Sequence, residues 1–162
     1  MLPSATPPPS ERSTLLAVDL GLRAGVALYD SRGRLLSYRS TNFGSMNRLK
    51  RGISGIIKPL DTLAWVVVEG DRRMGEMWEG AALHRGAGFD WVSPEQWRST
   101  LLIPRKRRSG VKAKAEAEVL ARKVIRWSEL KGPTSLRHDA AEAILIGLWA
   151  VLTLGWLNHN PL

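Results

Sequence analysis

The sequence predicts an α/β fold in which a mixed central sheet of about five strands, the first three antiparallel, is flanked by helices. Two observations support this prediction. Short apolar runs with strand character open the chain and recur twice later, and apolar residues between and after them repeat at helical spacing. The resulting order is three strands, helix, strand, helix, strand and then helices, which places helices on a sheet.

Three strands open the chain. The run TLLAVDL at 14–20 is apolar up to Asp19, and GVALYD follows after Gly21. A turn of Ser, Arg and Gly at 31–33 then leads into RLLSYRSTN. Because the connections between these runs are short, we expect an antiparallel meander.

Helices and strands then alternate. Apolar residues at helical spacing predict a helix that ends before Pro59; they are Met46, Leu49, Ile53, Ile56 and Ile57. The β-branched run LAWVVVEG, which ends at Glu69, is typical of a strand buried on both faces. A helical stretch, MGEMWEGAALHRGAG, precedes a further strand, FDWVS, and Pro94 begins a short helix.

Two helices follow. The segment VKAKAEAEVLARKVIRW has good helix propensity and spacing, and the last helix begins around His138. We expect that last helix to bury Ile144, Leu145, Leu148 and Trp149. The apolar run at 140–157 is just long enough to span a membrane, but it contains Glu142 and has no basic C-terminal flank. A core helix is therefore the favoured interpretation, and no membrane partner is expected.

The length of 162 residues fits one domain, which we place at 14–158. Residues 1–13 contain four prolines and little apolar content, so they predict a disordered leader and not a signal peptide. The absence of cysteine excludes disulfides and thiolate metal sites.

The chain is strongly basic. Lys and Arg number 24 against 15 Asp and Glu, which gives a formal net charge of +9. Such a charge favours a polyanionic partner, with nucleic acid as the first candidate and an anionic membrane surface as the second.

Four acidic residues occupy positions where a negative charge is energetically unfavourable unless a cation or a hydrogen-bond donor lies beside it. Asp19 and Glu69 each end an apolar strand, and Asp139 and Glu142 lie on one face of the last helix, where like charges repel. Each has a simpler interpretation: a strand end that emerges into solvent, or Asp139 capping the helix with Glu142 completing a capping box. Taken together, however, strand ends and a helix N-terminus can converge at one sheet edge. Such a carboxylate set suits two Mg²⁺ ions, with Mn²⁺ as a substitute, acting on a phosphodiester.

The segments that contain these acids resemble a known family. LLAVDLGLRAGVALYD, VVVEGDRRMGEMWEGAAL, SGVKAKAEAEVLARKV and HDAAEAILIGLWA, in that order, are similar to RuvC-type Holliday junction resolvases of the ribonuclease H-like superfamily. The likeness extends to plastid-type and phage-type relatives, with Pro94 and Trp97 before a lysine-containing helix and A-E-A-I-L-I in the closing motif. It covers about residues 14 to 152.

The resemblance implies a ribonuclease H-like fold and a role for each acid. Asp19 would be the central metal ligand, shared by both ions, with Glu69 as the second acid and Asp139 with Glu142 as the closing pair. It also implies a catalytic lysine near the attacking water, for which we choose Lys114, with Lys112 as the alternative. His138 we interpret as an ordinary helix-start residue.

The chain departs from the bacterial members of the family after the second acid. Those proteins carry an aromatic residue there that opens the junction, whereas this chain has no aromatic residue before Trp78. We therefore expect basic residues to bind DNA; they are Arg72, Arg73, Arg98, Arg105, Lys106, Arg107, Arg108 and Lys112. Trp65, Trp149 and Trp156 are expected in the core, while Trp78 and Trp127 are candidates to face a partner.

The leading hypothesis is a metal-dependent endonuclease that cuts four-way DNA junctions in recombination and repair, leaving 5′-phosphate and 3′-hydroxyl ends. The family implies a homodimer and a cytoplasmic protein of bacterial or phage origin, and an organelle is not excluded. One alternative is a YqgF-like ribonuclease that acts on ribosomal RNA precursors. Another is a catalytically silent nucleic-acid-binding module, although such a module has no reason to keep four acids that repel one another.

Overall fold

The structure is a computed structural model, which describes residues 10–103 and 110–162. Most of the predicted leader therefore lies outside the described residues, and residues 10–13 form a turn in which the Ser13 N–H donates to the Ser10 carbonyl (3.0 Å). Within the described ranges, no helix is both long and apolar enough to cross a membrane.

The described residues form five strands and five helices in the predicted order. The strands are β1 (Thr14–Asp19), β2 (Arg23–Tyr29), β3 (Leu35–Asn42), β4 (Leu63–Glu69) and β5 (Gly88–Trp91). The helices are α1 (Met46–Ile57), α2 (Arg72–His84), α3 (Pro94–Leu101), α4 (Gly110–Trp127) and α5 (His138–Thr153).

All five strands belong to one mixed sheet. Its strand order is β3-β2-β1-β4-β5, in which β1, β2 and β3 pair antiparallel while β4 pairs parallel with β1 and β5. The antiparallel meander is thus confirmed. The register places Asp19 opposite Gly25 on one side and opposite Glu69 on the other, so two of the predicted acids are neighbours across the sheet.

Each face of the sheet is covered by helices. Leu15 and Ala17 of β1 pack with α3, α4 and α5, whereas Leu16 and Val18 pack with α1 and α2. Successive side chains of a strand point to opposite faces, so the continuous apolar run of β1 fits a strand covered on both sides. The four residues of α5 predicted to be buried are all in the core, which confirms that interpretation.

Helix α5 lies very close to the sheet at two glycines. A Cβ built on Gly25 would lie 1.8 Å from the carbonyl oxygen of Asp139, and one on Gly147 would lie 2.2 Å from the Tyr29 ring. The Tyr29 hydroxyl also donates a hydrogen bond to the carbonyl of Ile144. The first turn of α5 is therefore held directly against β2, beside Asp19.

Two alternative interpretations of the sequence are corrected. The N-cap of α5 is Arg137, which makes no side-chain capping bond, so the interpretation of Asp139 as a cap with Glu142 completing a capping box is wrong. Trp78 is fully buried and packs with the α1 and α2 cluster, so it does not face a partner.

The three tryptophans expected in the core lie close to their expected places. Trp149 and Trp156 are buried, and Trp65 packs against the core while partly exposed. Trp127 is half-buried, with the Arg34 guanidinium carbon 4.0 Å from its ring centroid.

We predict that Gly25→Ala destabilises the protein by about 1–3 kcal/mol or more, because its methyl group would overlap backbone atoms of α5. Gly55→Ala is the matched control. Gly55 lies in α1 with nothing within 4 Å of a Cβ, so alanine there should stabilise by about 0.5–1 kcal/mol. Chemical denaturation of both variants measures these changes. Equal stability of Gly25→Ala and wild type would contradict the close approach.

Candidate metal centre

Asp19 and Glu69 come from adjacent parallel strands that end at the same edge of the sheet. Asp19 closes β1 and Glu69 closes β4, and their Cα positions are paired. The backbone N–H of Leu20 donates to the carbonyl of Glu69 (2.9 Å), which keeps the two strand ends together. The close spacing of these two acids is thus set by the backbone of the sheet.

Helix α5 adds Glu142 to this edge. Carboxylate oxygens of Asp19, Glu69 and Glu142 lie within 4.8 Å of one another; these three residues are called the acid cluster below. Glu69 and Glu142 are buried, and Asp19 is half-buried. The structure therefore brings together three of the four acids proposed as metal ligands.

Asp139, the fourth, lies next to the acid cluster. Its Oδ2 accepts a hydrogen bond from the Ser40 hydroxyl on β3 (2.9 Å), and its Oδ1 accepts one from the backbone N–H of Ala140 (2.7 Å). Its negative charge nevertheless contributes to raising the pKa of Asp19. Asp139 is thus close enough to act on the cluster electrostatically while its own oxygens are held by other groups.

Three side chains support the two glutamates. Trp97 Nε1 donates to Glu69 Oε2 (2.7 Å), Arg98 Nη2 lies 2.9 Å from Glu142 Oε1, and His138 Nε2 lies 3.2 Å from the same oxygen. We expected Arg98 to bind DNA and His138 to be an ordinary helix-start residue. The structure places both against Glu142. The spacing of four residues between His138 and Glu142 was a signal in the sequence for their contact, whereas no local pattern indicated the contacts from α3.

The acids differ in how easily they ionise. Burial, followed by the charges of Glu142, Glu69 and Asp139, raises the pKa of Asp19 to about 8. Burial also raises the pKa of Glu69, although the Trp97 hydrogen bond opposes this. Burial alone would raise the pKa of Glu142 too, but His138 and Arg98 outweigh it and hold that pKa below its usual range. Asp19 is therefore the acid whose ionised form most requires stabilisation by a further positive charge.

The residues of the acid cluster fit a divalent metal. Carboxylate oxygens are the ligands that Mg²⁺ and Mn²⁺ prefer, and the repulsion among three close carboxylates is relieved by a cation. The raised pKa of Asp19 results first from burial and then from that repulsion. The residues present therefore fit a divalent cation that prefers oxygen ligands.

The predicted basic residues have different placements. Arg72 and Arg73 are exposed in the first turn of α2, three and four residues after Glu69 at the end of β4. Lys112 and Lys114 are exposed near the start of α4. The other four predicted DNA contacts lie outside the described residues; they are Arg105, Lys106, Arg107 and Arg108.

Comparison with solved structures identifies the fold. The chain is similar to Thermus thermophilus RuvC in complex with a Holliday junction substrate, with a TM-score of 0.65 and 17% identity over 89% of this chain and 96% of that chain. A further Thermus thermophilus RuvC structure gives a TM-score of 0.64 and 19% identity over 88% and 96%. No protein-family model and no curated protein sequence matches the chain. The predicted RuvC-like, ribonuclease H-like fold is therefore confirmed.

We predict that Asp19→Asn stabilises the protein at pH 8 in the presence of a chelator. The pKa of Asp19 is about 8 in the fold against 3.8 for the ordinary group, so the folded state binds its proton more tightly and stability falls as pH rises between these values. Asparagine stays neutral and removes this loss. The advantage of the variant in thermal denaturation should shrink towards pH 5.

Asp61→Asn is the control for this experiment, because Asp61 is an exposed acid that pairs with Arg85 at 3.7 Å. Its effect should not grow between pH 5 and pH 8. Saturating Mn²⁺ should raise the melting temperature of wild type and leave that of Asp19→Asn unchanged. An Asp19→Asn protein less stable than wild type at pH 8 in chelator would contradict the electrostatic account.

Proposed function

We propose that this chain is a metal-dependent endonuclease that resolves four-way DNA junctions, leaving 5′-phosphate and 3′-hydroxyl ends. The observation that carries this proposal is the acid cluster, three carboxylates within 4.8 Å at one edge of a RuvC-like sheet. Keeping three like charges together in a partly buried place is unfavourable unless a cation uses them. The cluster therefore argues against a catalytically silent binding module.

The substrate class is supported by the structural neighbour and by charge. The neighbouring RuvC structure contains a Holliday junction substrate. The chain studied here has a formal net charge of +9, which suits a phosphate backbone. We propose Arg72 and Arg73 as phosphate contacts, because they are exposed immediately after the strand that ends in Glu69. The basic residues predicted at 105–108 and Lys112 would add further contacts.

Asp19, Glu69 and Glu142, with Asp139 beside them, would hold two Mg²⁺ ions or their Mn²⁺ substitutes. Bound divalent ions supply Lewis-acid stabilisation of the phosphoryl oxygens and a water activated for attack. The chain's own contribution is to present carboxylates at fixed positions. Arg98 and His138 keep Glu142 ionised, and Trp97 donates to Glu69.

A homodimer is part of the proposal. Within the described residues the one group of acids found close enough to share a metal ion is the acid cluster. Resolution of a four-way junction requires two strands to be cut. Two copies of the chain would supply two clusters, one for each strand.

We expect the wild-type protein with Mg²⁺ or Mn²⁺ to cut a synthetic four-way junction in preference to linear duplex and flap DNA. Asp19→Asn should bind the junction, but its cleavage rate should fall by about a thousandfold or more. Several kcal/mol of transition-state stabilisation depends on the metal. Gel-shift and cleavage assays on the same DNA separate binding from catalysis. Equal cutting by both proteins would refute the metal-dependent mechanism, and equal affinity for junction and duplex would refute the structure selectivity.

We expect Lys114→Met to lower kcat by about 10²–10³-fold with junction affinity retained, because a lysine beside the reacting phosphate balances charge that develops in the transition state. Lys112→Met is the matched control, two residues earlier on the same exposed start of α4. It should leave kcat unchanged and weaken binding in a manner that depends on salt. The reverse pattern would assign the catalytic role to Lys112 in place of Lys114.

A further inference from the structure

Helix α3 begins in a fixed position and carries two residues that reach the acid cluster. Ser93 and Gln96 form a reciprocal capping box around Pro94, and Trp97 and Leu101 are buried in the core. Trp97 then contacts Glu69, and the next residue, Arg98, contacts Glu142. The helix is thus anchored at its start and along its buried face, with the polar groups of Trp97 and Arg98 directed at the acids.

Glu69 depends on such a contact more than Asp19 does. Both residues end strands with paired Cα positions, so the backbone fixes where each side chain starts. A glutamate, however, has one more rotatable bond than an aspartate before its carboxylate, and the strand does not fix that torsion. An additional contact is therefore needed to keep the Glu69 carboxylate at the cluster.

The indole of Trp97 meets this need in a specific way. Its N–H is a donor only, it does not titrate, and its ring is completely buried, so the 2.7 Å bond to Glu69 Oε2 keeps one geometry. The bond engages one carboxylate oxygen. The guanidinium carbon of Arg98 lies 5.1 Å from the centroid of the same ring, so one rigid ring contacts Glu69 itself and Arg98, the partner of Glu142.

We propose that Trp97 is a positioning residue for a divalent cation: its N–H holds the Glu69 carboxylate in the orientation that lets the acid cluster bind metal. This inference rests on the proposed metal centre and adds to it a residue that touches neither metal nor DNA. Outer groups that orient metal ligands commonly change affinity by about 10–100-fold when removed.

The test is Mn²⁺ binding to the full chain without DNA, measured by titration calorimetry. Trp97→Phe keeps an aromatic ring but removes the N–H, and we expect its Kd for Mn²⁺ to rise by about 10–100-fold. Trp78→Phe is the matched control. Trp78 is also completely buried, but its Nε1 has no hydrogen-bond partner among the described residues. It should lose stability to a similar degree while its Kd for Mn²⁺ changes less than about twofold.

A second substitution covers the case in which Trp97→Phe does not fold. Benzothienylalanine incorporated at position 97 has the shape of tryptophan, with sulfur in place of the N–H, and should reproduce the loss of Mn²⁺ affinity with little change in melting temperature. If the position 97 variants bind Mn²⁺ as tightly as Trp78→Phe, the positioning role is overturned while the metal centre stands. If wild type binds Mn²⁺ no better than Asp19→Asn, the metal centre itself is overturned, and the role of Trp97 with it.

Discussion

The close approach of α5 to the sheet at Gly25 is the constraint on which the site depends. Asp19 and Gly25 are paired across β1 and β2, and the carbonyl of Asp139 occupies the space that a side chain at position 25 would fill. Gly147 gives the same close contact further along the helix, against Tyr29. With any larger residue at these positions the helix would have to move outward, and Glu142 would move away from the strand ends. The apolar residues of α5 and its close contacts with the sheet at Gly25 and Gly147 therefore set the position of the Glu142 side chain.

This packing creates an electrostatic conflict that other elements reduce. Bringing Glu142 to Asp19 and Glu69 places three carboxylates in a region from which water is partly excluded, where their repulsion is strong. Three side chains from outside the strands contact the two glutamates. They are the Arg98 cation and the neutral Trp97 donor on α3, and His138 in the first turn of α5. The remaining excess of negative charge is what makes the edge suitable for a divalent cation.

The sequence predicted the elements and the acids better than it predicted their supports. Strands such as β4 have a continuous apolar pattern. An acid at the end of such a run is easy to recognise as a candidate site residue, because burying an ionised carboxylate is energetically unfavourable. The supports are long-range contacts: Trp97 reaches Glu69 across 28 residues, Arg98 reaches Glu142 across 44, and Ser40 reaches Asp139 across 99. Local patterns contain no information about such contacts, so Arg98 resembled any other basic residue of a basic chain. Trp78 was misjudged for a related reason, since only the packing of α1 and α2 on the sheet determines its burial.

The three acids of the cluster are not equivalent in the free protein, and this difference has a consequence for metal binding. Against the cost of burial, His138 and Arg98 keep Glu142 ionised, and Glu69 has a neutral donor in Trp97. Burial, and then the negative charges of its neighbours, raise the pKa of Asp19, and the charge of Arg98 opposes them. With a pKa of about 8, Asp19 holds a proton at neutral pH. A cation that uses all three carboxylates must displace that proton, because a metal ligand has to be deprotonated. If a divalent cation binds the cluster as proposed, the helix packing that assembles the cluster couples that binding to proton release at Asp19, the residue that shares the sheet register with both Gly25 and Glu69.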